Sequence, residues 1–263
     1  MDLDARFQAA VNIAEEAATL ALQFFERRSE LTVELKGLQD HVTKADREVE
    51  ALIRKRLHER FPEDALLGEE QGGGGSNDTK ALWVIDPIDG TTNFVRGLPH
   101  WGVCIAFCKD EEPELSVIIN PVLREKYVAR RARGAMCNDR PLAVSKTPKL
   151  SEAVLGMGSS KKSPHEPYVD VLGKLLAEGI EYRRIGCASM NLAAVASGKL
   201  DSFFEAKLSP WDALPGMLLV KEAGGRCNDY LEGDGLLKGN SVLATNGPLY
   251  DVLAAAFGVW TEY

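Results

Sequence analysis

Between residues 4 and 28, apolar side chains recur at three- and four-residue steps through Phe7, Val11, Ala14, Ala18, Leu22 and Phe25, which predicts an amphipathic helix. The period returns over 44–61 with Val49, Ile53 and Leu57. Between the two, Lys36-Gly37-Leu38-Gln39-Asp40 is polar and contains a glycine, so it reads as a turn or a mobile loop. The pattern then shortens. Ala65-Leu66-Leu67-Gly68 and Ala81-Leu82-Trp83-Val84-Ile85 are brief apolar runs ending in carboxylates, the signature of buried strands. A glycine run, Gly72 to Gly75 and Ser76, separates them as a flexible loop. Gly102 to Phe107, Leu115 to Ile119 and Lys126 to Arg130 follow as strands, divided by turn chemistry at Lys109–Pro113 and Asn120-Pro121. This block predicts an antiparallel sheet.

Beyond residue 150, helices near 167–178, 188–198, 212–223 and 248–257 alternate with strands near 153–157, 181–185, 201–205 and 241–245. Such alternation predicts an α/β (α+β) fold with helices layered on a sheet. With 263 residues, 45% hydrophobic and 27% charged, the chain is long enough for one large domain or two tightly packed halves, divided near residue 150.

The formal net charge is −8 and there is no polybasic arm, which argues against nucleic acid as a partner. No apolar stretch reaches the length of a membrane span, and the acidic Met1–Asp4 start lacks the basic region of a signal peptide. No membrane association is expected, and a cytoplasmic location is. Five cysteines, Cys104, Cys108, Cys137, Cys187 and Cys227, show no CxxC spacing, so neither a disulfide framework nor a thiolate zinc site is favoured.

The chemistry concentrates in Asp86-Pro87-Ile88-Asp89-Gly90-Thr91-Thr92-Asn93-Phe94. A strand ending at Ile85 releases two acids three residues apart. Gly90 permits a sharp turn, and the two threonines suit the start of a helical turn with outward N–H groups. Carboxylates, a carbonyl and N–H donors side by side suit a hard cation and a phosphate together. The same residues would also serve in an ordinary strand-to-turn junction. Glu69 in Gly68-Glu69-Glu70, Asp212 in Pro210-Trp211-Asp212 and Asp46 before the second helix extend the acidic set. Each has a plainer alternative: a solvated strand end, a helix N-cap and a first-turn helix acid. Were the four segments to converge, two carboxylates about 4 Å apart would repel by roughly 4 kcal/mol at an effective dielectric of 20, so a cation would be required. An all-oxygen set selects Mg2+, with Mn2+ as substitute.

Those four ordered segments, Asp40–Asp46, Gly68-Glu69-Glu70, Asp86–Phe94 and Trp211-Asp212 through Glu222-Ala223-Gly224-Gly225, resemble the inositol monophosphatase family of Mg2+-dependent, lithium-sensitive phosphatases. The resemblance implies an αβαβα layered sandwich of the inositol monophosphatase/fructose-1,6-bisphosphatase type, assembled as a homodimer. The halves 1–150 and 151–263 would then carry the metal site and the substrate side. It implies a first ion on Glu69, Asp86 and the carbonyl of Ile88, and a second on Asp86, Asp89 and Asp212. A weaker third ion would share Glu69. Thr91 and Asp46 would orient and deprotonate the attacking water, and the N–H groups of Gly90 and Thr91 would receive phosphate oxygens. Glu205 would bond hydroxyls of an inositol ring and Ala188 would offer a backbone contact to it, though Glu205 is equally a strand-end acid. Lys36 would belong to a mobile loop closing over the third ion, or is a solvated lysine. The implied activity is hydrolysis of myo-inositol monophosphate or a similar small phosphate ester by metal-activated water. Histidinol phosphate and fructose 1,6-bisphosphate are alternative substrates, and a regulatory binding protein on a phosphatase fold is an alternative of another class. Leu214-Pro215 and Cys187 depart from the family pattern, the proline being read as lying in a first helical turn.

Overall fold

The computed structural model describes residues 2–31, 33–37, 40–73, 80–159 and 165–258, apart from the side chains of 33–37, 40–42 and 167. The remainder of the glycine run, from Gly74 onward, and the side chain of Lys36 lie outside the described residues. Helix α1 spans Leu3–Glu26 and α2 Lys44–Arg60. The segment Lys36–Asp40, read as a turn or a mobile loop, joins the two strands of a hairpin, β1 (Val33–Gly37) against β2 (Asp40–Thr43), and those strands were not foreseen.

The sheet block comprises β3 (Ala65–Gly68), β4 (Ala81–Asp89), β5 (Gly102–Lys109), β6 (Glu112–Asn120), β7 (Glu125–Arg130), β8 (Gly134–Cys137) and β9 (Arg140–Pro141). They pair in that order, β3 parallel to β4 and the rest antiparallel, so the sheet is mixed at one edge. The β5–β6 connection is the two-residue turn Asp110-Glu111, both at positive φ, which matches the twist of the flanking strands. Helix α3 (Thr91–Arg96) follows β4.

The C-terminal block contains β10 (Val154–Met157), α4 (Glu166–Ala177), β11 (Glu181–Arg183), α5 (Ala188–Ala196), β12 (Ser202–Leu208), α6 (Pro210–Glu222), β13 (Arg226–Cys227), α7 (Gly235–Lys238), β14 (Asn240–Thr245) and α8 (Tyr250–Phe257). Its sheet runs β11-β10-β12-β14-β13.

Alternation along the central strands explains the layering. On β4 and β5, Trp83, Ile85, Val103, Ile105 and Phe107 face α1 and α2, whereas Leu82, Val84, Cys104, Ala106 and Cys108 face α5 and α6. Both faces are therefore covered, and α5 and α6 lie between the two sheets. Against the far side of the second sheet, α4 and α8 bury Val171, Leu175 and Leu253 with Leu155, Phe204 and Leu243. The result is α, β, α, β, α in layers. The core-facing stripe of α1 is Ala10, Ala14, Ala17 and Ala21 with Ile13, while Phe7, Val11 and Leu22 are only half-buried. Small side chains let the helix lie close to its neighbours.

Two boundaries differ from expectation. Strand β4 does not stop at Ile85 but continues through the acidic motif to Asp89. Helix α6 starts at Pro210 with Ser209 as its N-cap, so Asp212 is in the first turn and not the cap. Pro215 therefore lies inside the helix, where it denies the Trp211 carbonyl its amide partner, and not in the first turn.

Candidate metal centre and active site

The extension of β4 decides the site. Asp86 stands opposite Cys104 and Asp89 opposite Gly102, so three steps on β4 match two on β5. In a regular strand, residues three apart point to opposite faces. The extra residue reverses the alternation and brings both acids to one side, as a bulge does. Pro87, which lacks an N–H, falls inside the irregular stretch.

Asp212, from the first turn of α6, completes the group: Asp86, Asp89 and Asp212 each place a carboxylate oxygen within 4.8 Å of the others. Asp86 is fully buried. Its Oδ1 accepts from Ile88 N at 2.9 Å, and no donor among the described residues reaches its buried Oδ2. Burial first, then the negative charges of Glu69, Asp212 and Asp89, hold the Asp86 carboxyl well above the ordinary carboxylate range. The described groups that act on Asp86 are all negative. An orphaned buried oxygen among hard oxygen ligands fits a divalent cation.

Asp89 is steadied by the start of α5. Its Oδ2 accepts from Ser189 N at 2.6 Å and from the Cys187 thiol at 3.0 Å, and its Oδ1 accepts from Ala188 N at 3.3 Å. The N–H groups of the first helical turn have no partners within their helix and favour an anion. The thiol is buried, and burial followed by the Asp89 charge pushes it far above its usual range, so Cys187 acts as a neutral donor. Asn93 ties this wall down, its amide donating to His100 O at 2.7 Å and Ile185 O at 2.9 Å.

Asp46 has a second anchor. Thr43 caps α2, and Asp46 Oδ2 accepts from Thr43 N at 2.8 Å and Thr43 Oγ1 at 2.7 Å, a capping box. Its Oδ1 remains for Thr91 Oγ1, 3.2 Å away, and that hydroxyl also lies 3.1 Å from Ile88 O. Burial raises the Asp46 carboxyl above its ordinary value despite the opposing Thr43 bonds. Gly90 is left-handed at φ 89°, and a Cβ there would come within 3.0 Å of Cys187 and 3.1 Å of His100 O, so glycine is required at this N-cap of α3.

Glu69 sits in the turn after β3, close enough for its charge to act on Asp86 before any other. Glu205 on β12 is buried, and its carboxyl is pushed up to about 8 by desolvation and by Asp212 and Asp89, with Arg184 opposing. Gly158 makes room for it, since a Cβ there would collide with Glu205 Oε2. The structure thus gathers Asp46, Glu69, Asp86, Ile88, Asp89, Gly90, Thr91, Ala188, Glu205 and Asp212 around one cluster. It says nothing of the Lys36 side chain. Sequence reading missed the roles of Cys187, Asn93 and Glu50. Thr43-x-x-Asp46 carried a legible capping signal, but the other three depend on partners remote in sequence.

A layered sandwich with an acidic cluster at the end of a central strand suits a protein that works on a phosphate through a divalent cation. Residues 2–259 match the family described as "Inositol monophosphatase family". An inositol-1-monophosphatase of Rhizobium meliloti (strain 1021) is 39% identical over 230 residues, 87% of this chain and 86% of that protein. The Nus factor SuhB of Escherichia coli (strain K12) is 36% identical over 239 residues, 90% of each chain. Among solved structures, the extragenic suppressor protein suhB from Bartonella henselae superposes with a TM-score of 0.89 at 34% identity, covering 98% of this chain and 100% of that one. The chain belongs to the inositol monophosphatase family and is a phosphatase. No helix among the described residues is long and apolar enough to cross a membrane.

Proposed function

We propose that this phosphatase hydrolyses myo-inositol monophosphate, or a similar small polyol phosphate, to the alcohol and inorganic phosphate in a reaction dependent on Mg2+. The observation that carries the proposal is the cluster of Asp86, Asp89 and Asp212, together with a buried Asp86 Oδ2 that no donor among the described residues reaches. Glu69, Asp86 and the Ile88 carbonyl would hold one ion, and Asp86, Asp89 and Asp212 a second. A third would share Glu69, and Mn2+ would substitute. Bound there, the cations would neutralise the carboxylates, polarise the phosphoryl group and make water acidic enough to attack at neutral pH.

The remaining chemistry belongs to the chain. Thr91 has one hydroxyl proton, shared between Ile88 O and Asp46 Oδ1. Were Ile88 O to hold a cation, the proton would go to Asp46, and the Thr91 oxygen would accept from the attacking water. The water proton passes through Thr91 to Asp46, a stronger base than an ordinary carboxylate because it is buried. The water oxygen bonds to phosphorus as the ester P–O bond breaks in line with it, the leaving oxygen takes a proton from solvent, and Asp46 later returns its own to solvent. The N–H groups of Gly90 and Thr91 at the start of α3 receive phosphate oxygens. Glu205 would bond substrate hydroxyls, and the Ala188 backbone would offer a contact to the ring, as the family resemblance implies. A homodimer and inhibition by lithium accompany this reading on family resemblance.

The test is a substrate panel of inositol monophosphate, histidinol phosphate and fructose 1,6-bisphosphate with Mg2+, chelator and Li+ controls. The highest kcat/KM is expected on inositol monophosphate; a value orders of magnitude below the other two overturns the substrate assignment. The name Nus factor SuhB, borne by relatives of this chain, favours a second reading in which the same fold also binds a partner. Stoichiometric co-purification of one protein with an Asp89→Asn variant would support it, and a lone oligomer would count against it.

A further inference from the structure

Glu69 is the metal ligand with the least regular support, since it follows a strand end and precedes a glycine run. Like charge opposes its place in the cluster, because Asp86, Asp89 and Asp212 lie on the other side. Something must hold its loop inward before a cation arrives.

Helix α2 supplies the hold. Asp46, Glu50 and Arg54 are spaced by four residues and share one helix face. The Glu50 side chain has no solvent exposure and is paired with Arg54 Nε at 2.7 Å. Its Oε2 accepts from Glu70 N at 2.7 Å and its Oε1 from Gln71 N at 3.0 Å. Arg54 Nη2 donates to Gly72 O at 2.5 Å, and the same carbonyl closes the loop by accepting from Gly68 N at 3.2 Å. Three consecutive residues after Glu69 are thus gripped by one ion pair. Only a carboxylate offers acceptors to all three donors with none of its own N–H groups in the way. Gly68 has ordinary backbone angles, yet a Cβ there would lie 2.7 Å from Arg54 Nη2 and 2.8 Å from Glu50 Oε1. The glycine lets the pair approach the loop.

We propose that the Glu50–Arg54 ion pair is a positioning device for Glu69: it fastens the Gly68–Gly72 loop to the helix that carries Asp46, so that metal ligand and proton acceptor share one rigid frame. The proposal rests on the metal-dependent reading above. Glu50 and Arg54 touch neither substrate nor reacting atoms; they act through Glu69.

The test compares Glu50→Gln with wild type by calorimetric titration of Mg2+ into chelator-stripped protein without substrate, and by the Mg2+ dependence of turnover. Loss of a group that orients a ligand typically weakens metal affinity about 10–100-fold. A shift of at least about tenfold in both readouts is expected, with kcat at saturating Mg2+ within about threefold of wild type. Gly68→Ala, which crowds the pair from the opposite side, should shift Mg2+ affinity in the same direction, and it decides the matter if Glu50→Gln does not fold. Arg6→Gln removes a different, partly buried ion pair, that of α1 with Asp64. It should lower the melting temperature and leave Mg2+ affinity unchanged, which separates positioning from general loosening. Unchanged Mg2+ affinity in Glu50→Gln, or an equal loss in Arg6→Gln, overturns the proposal. A wild type that binds Mg2+ and hydrolyses no phosphate ester overturns the functional reading, while the calorimetric comparison still judges the clamp. A wild type that binds no Mg2+ overturns both.

Discussion

Thr91 Oγ1 stands 3.2 Å from Asp46 Oδ1, joining the first turn of α3 to the first turn of α2 across 45 positions of sequence. In the proposed reaction this contact would make the hydroxyl and the carboxylate one proton path. Thr91→Val should cut kcat by about 10²–10⁴-fold, the usual worth of positioned proton transfer, with little change in Mg2+ affinity. Steady-state kinetics at saturating Mg2+ checks this. A loss confined to KM would remove Thr91 from the path.

Asp89 faces Asp86 and Asp212 and is held by the start of α5. Asp89→Asn should abolish most turnover and weaken Mg2+ binding while circular dichroism remains native, because asparagine retains an acceptor for Ser189 N. Chelation of the wild type should have the same kinetic effect, reversed by Mg2+. Mg2+-dependent turnover equal to wild type in the variant would refute the metal assignment.

Without the cation, the cluster makes stability depend on pH in a defined direction. Asp86 and Asp46 are raised in the folded chain, so the folded state holds protons that the unfolded state releases. Folding is then favoured at low pH and loses stability as pH rises from about 3.9, the unfolded aspartate value, through the raised folded values. Melting curves in chelator should shift downward on going from mildly acid to neutral pH. Saturating Mg2+ should flatten the slope. A melting temperature that rises with pH in chelator would contradict the charge assignment.

Glu205 titrates in a window that can be isolated. Its carboxyl is raised to about 8, so the stability linked to its proton is present below the ordinary glutamate range and lost as pH climbs toward 8. In chelator at pH 8, Glu205→Gln should melt several degrees above wild type, at about 2–4 °C per kcal/mol for a chain of this size. The same variant should raise KM for inositol monophosphate more than it lowers kcat.

The Cys187 thiol donates to Asp89 at 3.0 Å. Cys187→Ser keeps a donor and should preserve Mg2+ affinity within about twofold. Cys187→Ala removes one charge-linked hydrogen bond, worth about 1.5–3 kcal/mol, and should weaken Mg2+ binding about tenfold or more. Equal affinities for the two variants would show that the thiol only fills space.

Much of the fold was legible because its periods are local. The 3.6-residue repeat through Val49, Ile53 and Leu57 and the apolar run Ala81–Ile85 depend on neighbours in the chain, and both elements stand where the pattern puts them. The β1–β2 strands were not read from the sequence, because the alternation Val33-Glu34-Leu35-Lys36 is too short a run to separate a strand from a loop. The alanine stripe of α1 was also hidden: alanine marks a buried face only when a close neighbour is known.

The linear order of residues alone determined the acidic inventory: Asp86-Pro87-Ile88-Asp89-Gly90-Thr91, the strand end Gly68-Glu69-Glu70, Asp212 and Asp46 before the second helix. Side-chain type settles which cations and which reactions such groups can serve. Tertiary structure alone decided that Asp86 and Asp89 face the same way, through one extra residue of β4 against β5, and that Glu50 reaches the Glu69 loop. Strand register and helix-to-loop contacts arise from packing between segments far apart in the chain, and no local pattern encodes distances across that gap.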